Sequence, residues 1–515
     1  MEKLLLGNIL LKNANDCGLA EKVALVSGKQ AMTYAELNTR VNRLGNGLIG
    51  QGVCKGDRIA VLGRNSLTYA IIYFALAKIG AIMVPVNFWY RDTEIQYTLR
   101  QSTCKGLLYH TDFAPVLKGI ENEVPSLEWH VPFGACSDAS GHLDRIVESG
   151  SNQEPAVDLD EEDPHIILYT SGTTGFPKGT TLSHRSHFLH ALSLSLATHG
   201  QPDDIGLLIY PLFHTGGPDC LLLPHFIQGA TLIVLDGGDP DAILEAAEQY
   251  RVTNIFCVPT IWRWILDRQS QVQHDVSSIE RCLGSSDTFP PDLLDRILTT
   301  FEADVYVTYG LTEAGCILTV CKLTAGDQRK LGSVGRPLST VELKLVDEDN
   351  RPVNPGEVGE VLARSPSLMQ NYWEMPEKTR EALREGWLRS GDLGRMDEDG
   401  YLFLAGRAKD MIISGGENIY PLEVERILKS HPVVRDAAVV GIPNTEWGES
   451  VLAAIVGDPD SELTEDEVIA FVRERAAGYK CPRFVVFLEA LPVTTATGKV
   501  QKAVLRETFT PEYGV

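Results

Sequence analysis

Apolar positions in the first 330 residues alternate between helical and strand-like spacing. Leu37, Val41 and Leu44 recur at helical spacing within residues 33–60, and Arg58–Leu62 then forms an apolar run typical of a buried strand. The same alternation predicts a helix over Ala70–Gly80 and strands at Ala81–Val86, Ile166–Tyr169, Ile205–Tyr210, Thr231–Leu235 and Thr253–Val258. Helices alternating with short apolar strands predict an α/β fold of layered, mostly parallel sheets.

The pattern changes between about 332 and 405, where short strands follow one another without helices. Turn signals at Asn354-Pro-Gly356 and Glu398-Asp-Gly400 separate them. The predicted strands are Val341–Val346, Gly359–Ala363 and Tyr401–Leu404. This segment therefore predicts a small antiparallel sheet or a β-barrel-like subdomain.

A third pattern begins after Gly406-Arg-Ala-Lys-Asp410. It predicts helices at Pro421–His431 and Glu465–Ala476 and strands at Val433–Ile442, Val451–Val456 and Arg483–Phe487. These elements form a small α+β unit. We therefore divide the chain into an N-terminal domain of residues 1–408, a hinge at 409–410 and a C-terminal domain of residues 411–515.

Charge narrows the possible partners of the chain. It has 46 basic and 69 acidic residues and a net charge of −23. Such a chain is not expected to bind nucleic acid nonspecifically or to adhere to an anionic membrane. An enzyme of this charge that acts on anions needs a few placed cations or a metal ion.

Cysteine usage and the N-terminus bear on location. None of the ten cysteines forms a C-x-x-C pair, which favours reduced, mostly buried thiols. We identify no signal peptide at Met1. The most apolar stretch, Ala70–Val86, contains Lys78 and is too short for a membrane span, so we expect a buried helix leading into a strand. These features predict a soluble cytoplasmic enzyme.

Residues 169–179 contain the most informative motif, Tyr-Thr-Ser-Gly-Thr-Thr-Gly-Phe-Pro-Lys-Gly, directly after an apolar run. Its glycines let backbone N–H groups approach a phosphate, its hydroxyls can donate hydrogen bonds, and Lys178 adds a positive charge. The spacing differs from the common NTPase loop because Pro177 stands where that loop continues. The motif therefore predicts a phosphate-binding loop of another kind.

This motif resembles the signature of the adenylate-forming superfamily, which includes acyl- and aryl-CoA synthetases, nonribosomal adenylation domains and luciferases. Further segments resemble the other motifs of that superfamily in the expected order, so the resemblance extends over nearly the whole chain, from Met32 to Arg506. These segments are Pro211–Gly217, Gly284–Phe289, Val307–Gly315, Ser390–Asp392, Ser414–Pro421 and Pro492–Lys499.

The resemblance implies an ATP site and roles for its residues. Tyr309 would stack on adenine, Asp392 and Arg407 would contact ribose, and Glu313 would bind Mg²⁺. Thr312, Glu313, His214 and Lys499 would be catalytic, with Thr312 at the α-phosphate. The full implied ATP-binding set is Thr170, Ser171, Gly172, Thr173, Thr174, Gly175, Lys178, Ser286, Asp287, Tyr309, Gly310, Thr312, Asp392, Arg407 and Lys499.

The resemblance also implies where the acid substrate binds. His214 and Gly216 would line the acyl pocket. Trp262 would either limit the depth of this pocket or belong to the core. Domains that activate amino acids usually have an aspartate directly after the aromatic residue, whereas here the first aspartate is Asp219, which disfavours an amino-acid substrate.

The C-terminal domain would supply the second half of the site and move about Asp410. Gly415, Gly416 and Glu417 would line the pantetheine tunnel, where glycines leave room for a narrow thiol arm. Trp447 would stack on the adenine of CoA. A basic residue follows the catalytic lysine three positions later in the superfamily, usually arginine, and here it is Lys502.

Together these features predict an ATP-dependent carboxylic acid–CoA ligase that acts on a small-molecule acid, ATP and CoA, as a monomer or a homodimer. The nearest alternative delivers the acyl group to a carrier protein, although the 16 residues between Gly315 and Gly332 leave no room for the insertion that such enzymes tend to have. A luciferase-like oxygenase and an inactive nucleotide sensor are further alternatives, and intact Lys499, Glu313 and Asp392 argue against the sensor.

Overall fold

A computed structural model describes residues 3–134, 142–170, 177–285, 289–326, 330–415, 417–458, 463–494 and 499–514. The strands among these residues are β1 (Val23–Ser27), β2 (Gln30–Thr33), β3 (Arg58–Leu62), β4 (Ile82–Val86), β5 (Gly106–His110), β6 (Trp129–Phe133), β7 (Pro164–Thr170), β8 (Lys178–Ser183), β9 (Ile205–Leu208), β10 (Thr231–Val234), β11 (Asn254–Cys257), β12 (Arg281–Gly284), β13 (Asp304–Leu311), β14 (Cys316–Leu323), β15 (Arg336–Pro337), β16 (Glu342–Val346), β17 (Val358–Arg364), β18 (Asn371–Tyr372), β19 (Leu383–Arg384), β20 (Trp387–Met396), β21 (Leu402–Arg407), β22 (Ile412–Ser414), β23 (Glu417–Ile419), β24 (Val434–Asn444), β25 (Gly448–Gly457) and β26 (Phe484–Phe487).

The helices are α1 (Leu6–Asn15), α2 (Tyr34–Gly50), α3 (Leu67–Ile79), α4 (Asp92–Gln101), α5 (Ala114–Leu117), α6 (Ile120–Glu123), α7 (His142–Ser149), α8 (His184–Ala197), α9 (Leu223–Gln228), α10 (Pro240–Tyr250), α11 (Pro259–Val272), α12 (Pro291–Phe301), α13 (Pro376–Ala382), α14 (Pro421–Lys429), α15 (Glu465–Arg473) and α16 (Lys502–Tyr513). Short 3-10 helices at Thr312–Ala314 and Ala408–Asp410 and a π-helical turn at Pro218–Leu222 lie beside predicted site residues.

Two large, mostly parallel sheets form the N-terminal part of the chain. One has the strand order β15-β14-β13-β12-β11-β9-β10-β1-β2, and the other has the order β18-β8-β7-β4-β3-β5-β6. Antiparallel strands lie at their ends, among them β8 against β7 and β14 against β13. This arrangement confirms the predicted α/β layers.

Helix α3 shows why these sheets need cover from helices. Its residues Leu67 and Tyr69–Ile79 are all buried, and the adjoining strand β4 is buried at every position. Strands covered on both faces are continuous apolar runs, as β4 is, and the helix and the strand together account for the apolar stretch Ala70–Val86. In the part of the chain that the structure describes, no helix combines the length and apolar character needed to cross a membrane.

The β-rich segment forms a five-stranded antiparallel sheet with the order β16-β17-β20-β19, and β21 pairs with β20. The C-terminal part contains the sheet β23-β22-β25-β24, to which β26 adds parallel to β25. Separate apolar clusters cover its two faces, one with α14 and α15 and the other with α16. The predicted α+β character of this unit is confirmed.

Candidate active site

Tyr309 and Asp392 come from different sheets and meet through a hydrogen bond. The hydroxyl of Tyr309, near the end of β13, donates to Oδ2 of Asp392 in β20 over 2.7 Å. Nε of Arg407 lies 3.0 Å from the other carboxylate oxygen. Burial, with a further contribution from the charge of Asp392, raises the pKa of Tyr309 well above its ordinary value, so the phenol keeps its proton and remains a donor.

Local backbone contacts hold Asp392 in this position. Its N–H donates to Oγ of Ser390 over 3.0 Å, and that hydroxyl donates in turn to the carbonyl of Val361. Asp392 and Arg407 are also partners in the β20–β21 register, so the sheet itself brings the two charges together. A carboxylate has about four lone-pair sites, so capacity remains to accept bonds from ribose hydroxyls.

Tyr372 joins two predicted site residues and was missed in the sequence. Its hydroxyl donates to Oε1 of Glu313 over 2.8 Å, and the ammonium of Lys178 lies 4.3 Å from the centre of its ring. Burial and the charge of Glu313 raise the pKa of Tyr372, so it remains a donor. Tyr372 lies on the short strand β18 and pairs with Thr180 of β8. Tyr372 lies at no fixed sequence distance from the motifs that would identify it. Only the pairing of β18 with β8 brings it close to Glu313 and Lys178.

The turn with Thr312 and Glu313 follows directly after β13. It is one 3-10 turn, closed by a hydrogen bond from the N–H of Gly315 to the carbonyl of Thr312 over 3.0 Å. Gly310 precedes it, and a Cβ there would lie 1.8 Å from the carbonyl oxygen of Cys316. Glycine is needed here for strand pairing, because any side chain would push the two strands apart, and the role of Gly310 in ATP binding stays a prediction.

The donor set at this turn fits a magnesium ion that is also bound by phosphate. Glu313 offers carboxylate oxygen, the ligand type that Mg²⁺ prefers, and the described residues contain no cluster of three or more His, Cys, Asp and Glu side chains suited to a metal. Mg²⁺ is commonly bound by one or two carboxylates together with substrate phosphates. Glu313 would therefore supply the protein ligand.

His214 is half-buried beside Tyr210 in a tight turn. The N–H of Gly216 donates to Nδ1 of His214 over 3.1 Å, and the two aromatic rings are stacked with centroids 6.5 Å apart. Burial lowers the pKa of His214 to about 4, and the charge of Lys499 adds to this shift. His214 is therefore neutral near pH 7, with its proton on Nε2. A Cβ on Gly216 would lie 2.7 Å from the ring of Tyr210, so a side chain at this position would displace that ring.

Lys499 reaches the same region from the C-terminal part of the chain. It lies beside an antiparallel bridge between Val493 and Val500, and its N–H donates to Oγ1 of Thr494 over 3.2 Å. Its charge is the smaller of the two causes that lower the pKa of His214, after burial. The charge of the predicted catalytic lysine thus acts on a residue of the predicted acyl segment.

Trp262 lies in the core. Its side chain is fully buried, its Nε1 donates to the carbonyl of Leu283 over 3.0 Å, and its ring meets Phe301 edge-on at 5.6 Å. These contacts fix the indole between α11, β12 and α12. They favour the core alternative over the expectation that Trp262 limits the depth of the acyl pocket. Asp219 is also fully buried, 2.8 Å from Nδ1 of His187.

Gly415 and Trp447 are in contact in the C-terminal domain. The N–H of Gly415 donates to the carbonyl of Trp447 over 2.8 Å, and a Cβ on Gly415 would lie 2.8 Å from the indole. The guanidinium of Arg483 lies 4.7 Å from the indole centre. Trp447 and Glu417 are exposed, whereas Asp410 lies in the 3-10 helix that joins β21 to β22.

The structure describes the two ends of the phosphate motif. Thr170 ends β7 and pairs with Lys178 at the start of β8, so these two flank the motif. Outside the described residues lie seven other predicted ATP-binding residues, namely Ser171, Gly172, Thr173, Thr174, Gly175, Ser286 and Asp287, and also Gly416 of the predicted CoA site.

Family models place the chain among known enzymes. Residues 13–373 match the AMP-binding enzyme model, and residues 423–499 match the AMP-binding enzyme C-terminal domain. The chain therefore belongs to the AMP-binding enzyme family. Its relatives are acid–thiol ligases, which confirms the predicted superfamily and enzyme class.

Individual relatives match over nearly the full length. The chain is 37% identical over 490 residues to a feruloyl-CoA synthase of an Amycolatopsis species, covering 94% of this chain and 96% of that one. It is 32% identical over 498 residues to the fatty acid–[acyl-carrier-protein] ligase ScoC of Streptomyces coeruleorubidus, covering 94% and 93%. ATP-bound MatB from Rhodopseudomonas palustris superposes with a TM-score of 0.90 at 29% identity, covering 99% and 100%. Apo MatB gives 0.81 at 30% identity over the same shares.

Proposed function

We propose that the chain is an ATP-dependent carboxylic acid–CoA ligase. It joins an acid to AMP with release of pyrophosphate and then transfers the acyl group to the thiol of CoA with release of AMP. The observation that carries this proposal is the position of Tyr372 between the ammonium of Lys178 and the carboxylate of Glu313. A cation for phosphate and a carboxylate for a divalent ion are what displacement at a triphosphate requires.

The nucleotide would bind where β13 of the nine-stranded sheet meets β20 of the five-stranded sheet. Tyr309 offers its ring face to adenine, while Asp392 and Arg407 receive the ribose. Lys178 and the phosphate motif would bind the phosphates, with Thr312 at the α-phosphate. Bound Mg²⁺ supplies charge neutralisation at the phosphate oxygens, and Glu313 would hold it. ATP, Mg²⁺ and CoA are the cofactors that family membership supports.

The acid would bind next to His214. Because Nδ1 of His214 accepts from Gly216, its Nε2–H remains to orient a substrate carboxylate. Lys499 would balance the negative charge that develops on the α-phosphoryl oxygens as the carboxylate attacks. Both groups position the reactants, which is how the protein lowers the barrier of this step.

We assign this arrangement of Lys499 to the first half-reaction. Its charge reaches His214, while Glu417 and Trp447 of the proposed thiol path are exposed. The higher similarity to ATP-bound than to apo MatB supports the same assignment. We propose that the C-terminal domain rotates about Asp410 to present the Gly415–Glu417 loop for the second half-reaction.

CoA is favoured as acceptor over a carrier protein. The exposed indole of Trp447 can stack on the adenine of CoA, a group that a carrier protein does not bring. Arg483 beside the indole adds a positive charge for a phosphate-bearing ligand. One relative is a carrier-protein ligase, so a carrier protein stays the alternative acceptor.

One assay separates these possibilities. Pyrophosphate release is measured with a panel of aliphatic and aromatic acids, and each active acid is then offered CoA or a carrier protein. We expect acid-dependent pyrophosphate release and thioester formation with CoA. No release with any acid would overturn the proposal, and transfer only to the carrier protein would replace it with the alternative.

Location and assembly are part of the same proposal. The nine described cysteines are free thiols, seven of them buried, which supports a reducing compartment such as the cytoplasm. We propose that the enzyme works there as a monomer or a homodimer on small-molecule substrates. Cell fractionation and sedimentation of the purified protein test these two statements.

A further inference from the structure

His190 contacts the backbone of the strand that follows the turn bearing Glu313. It lies in α8, fully buried, and its Nε2 accepts a hydrogen bond from the N–H of Ile317 over 2.9 Å. Since Nε2 is the acceptor, the proton of the neutral ring is on Nδ1. Helix α8 follows directly after β8, which begins at Lys178. His190 therefore connects the strand of the phosphate-binding lysine to the strand after the metal-binding turn.

The N–H of Ile317 needs this acceptor because the strand pairing is irregular there. Tyr309 pairs with Thr319, whereas Gly310 pairs with Ile317, so the register between β13 and β14 shifts by one residue. A bulge of this kind leaves a backbone donor without its ladder partner. His190 supplies the missing acceptor from outside the sheet.

The neighbouring backbone is also strained. Cys316 has φ of 130°, a region that residues with a side chain rarely adopt. Strained backbone at a functional site persists only when surrounding contacts hold it. The contacts here are the hydrogen bond to His190 and the contact of the Cys316 thiol with that of Cys220, whose sulfur atoms are 3.3 Å apart.

We propose that His190 is a positioning residue for the metal site, and this inference rests on the proposed function. By holding Ile317, it fixes the bulge after the 3-10 turn and thereby the direction in which Glu313 presents its carboxylate. It has no contact role with substrate. Groups that orient a metal ligand typically contribute about 10–100-fold to metal affinity.

The test measures Mg²⁺-dependent ATP binding by calorimetry, which does not require turnover. His190→Leu keeps the volume and removes the acceptor. His190→Gln retains an acceptor near Nε2, and His190→Asn is polar but too short to reach Ile317. We expect the Mg²⁺ concentration for half-maximal ATP binding to rise about tenfold or more for Leu and Asn. We expect it to stay within about twofold of wild type for Gln.

His225→Leu is the matched control. His225 is another buried histidine, bonded to the carbonyl of Leu221 and to Asn254 rather than to the turn. Its loss should lower the urea midpoint while leaving the Mg²⁺ requirement unchanged. If His190→Leu does not fold, the comparison of the Mg²⁺ requirement between His190→Asn and His190→Gln tests the inference. An unchanged Mg²⁺ requirement in the folded His190→Leu or His190→Asn variant would overturn only the inference about His190. A wild-type protein that binds no Mg·ATP would overturn both this inference and the proposed function.

Discussion

Oη of Tyr309 lies 2.7 Å from Oδ2 of Asp392, although the two residues belong to different sheets. The contact joins the residue proposed for adenine to the residue proposed for ribose. Since Arg407 occupies the other side of the carboxylate, the three side chains form one unit across the sheet boundary. A nucleotide would therefore meet a preorganised surface rather than two independent groups.

Tyr309→Phe tests that relationship. The change keeps the aromatic face and removes the donor to Asp392. Hydrogen bonds to charged groups contribute about 1.5–3 kcal/mol, so we expect KM for ATP to rise about tenfold or more while KM for the acid stays unchanged. Tyr306→Phe on the same strand is the control. Equal KM values for ATP in both variants would show that the hydroxyl of Tyr309 has no part in binding.

Glu313→Ala removes the proposed metal ligand. We expect pyrophosphate exchange to fall by at least about 100-fold at ordinary Mg²⁺, as for the loss of one preorganised electrostatic group. Tyr372→Phe keeps the ring beneath Lys178 and removes only the donor to Glu313, so a smaller effect is expected. Glu381→Ala, at an exposed ion pair with Lys378, is the control. Exchange near the wild-type rate in Glu313→Ala would refute the metal assignment.

The variant Trp262→Ala tests whether Trp262 belongs to the core or lines the acyl pocket. A large aromatic residue that is lost from a core typically costs about 3–5 kcal/mol. We therefore expect a large fall in the urea midpoint and an unchanged preference among acids of different length. Trp264→Ala, at a side chain that is 53% exposed on the same helix, should change neither. A graded shift in preference toward longer acids, with little loss of stability, would show that Trp262 lines the acyl pocket.

Histidines that are neutral in the folded chain predict how stability depends on pH. Burial lowers the pKa of His184 to about 4, of His190 to about 3 and of His214 to about 4. In the unfolded chain these groups take up protons near pH 6.5, so each makes unfolding easier by about 1.4 kcal/mol per pH unit as the pH falls from about 6.5 to about 4.

Above pH about 6.5 these histidines add no pH dependence, because both states are then neutral. Urea unfolding between pH about 7 and about 5 measures the slope. The variant His184→Gln should show a smaller slope than wild type. A free energy of unfolding that is flat over this range, or that rises on acidification, would contradict the account.

The sequence predicted those parts of the site that lie in contiguous motifs. The helical spacing around Leu37 marked α2, because that helix buries one face. The continuous apolar run of Arg58–Leu62 marked β3, because this strand is buried at every position after Arg58. Tyr372 and His190 could not be predicted, because Tyr372 reaches Glu313 only through sheet pairing and His190 reaches the strand after the Glu313 turn only through helix packing. Trp262 could not be assigned either, since an apolar helix face looks the same whether it borders a core or a pocket.

Separate assays of the two half-reactions test the central claim, that one mobile domain serves both steps. Lys499→Ala should slow adenylation by about 10²–10³ and leave thioester formation from a preformed acyl-adenylate nearly unchanged. Gly415→Leu, whose side chain would displace Trp447, should do the reverse. Lys502→Ala, at a lysine paired with Glu425, is the control for loss of charge. Equal losses in both half-reactions for Lys499→Ala and Gly415→Leu would contradict domain alternation and indicate a single fixed site.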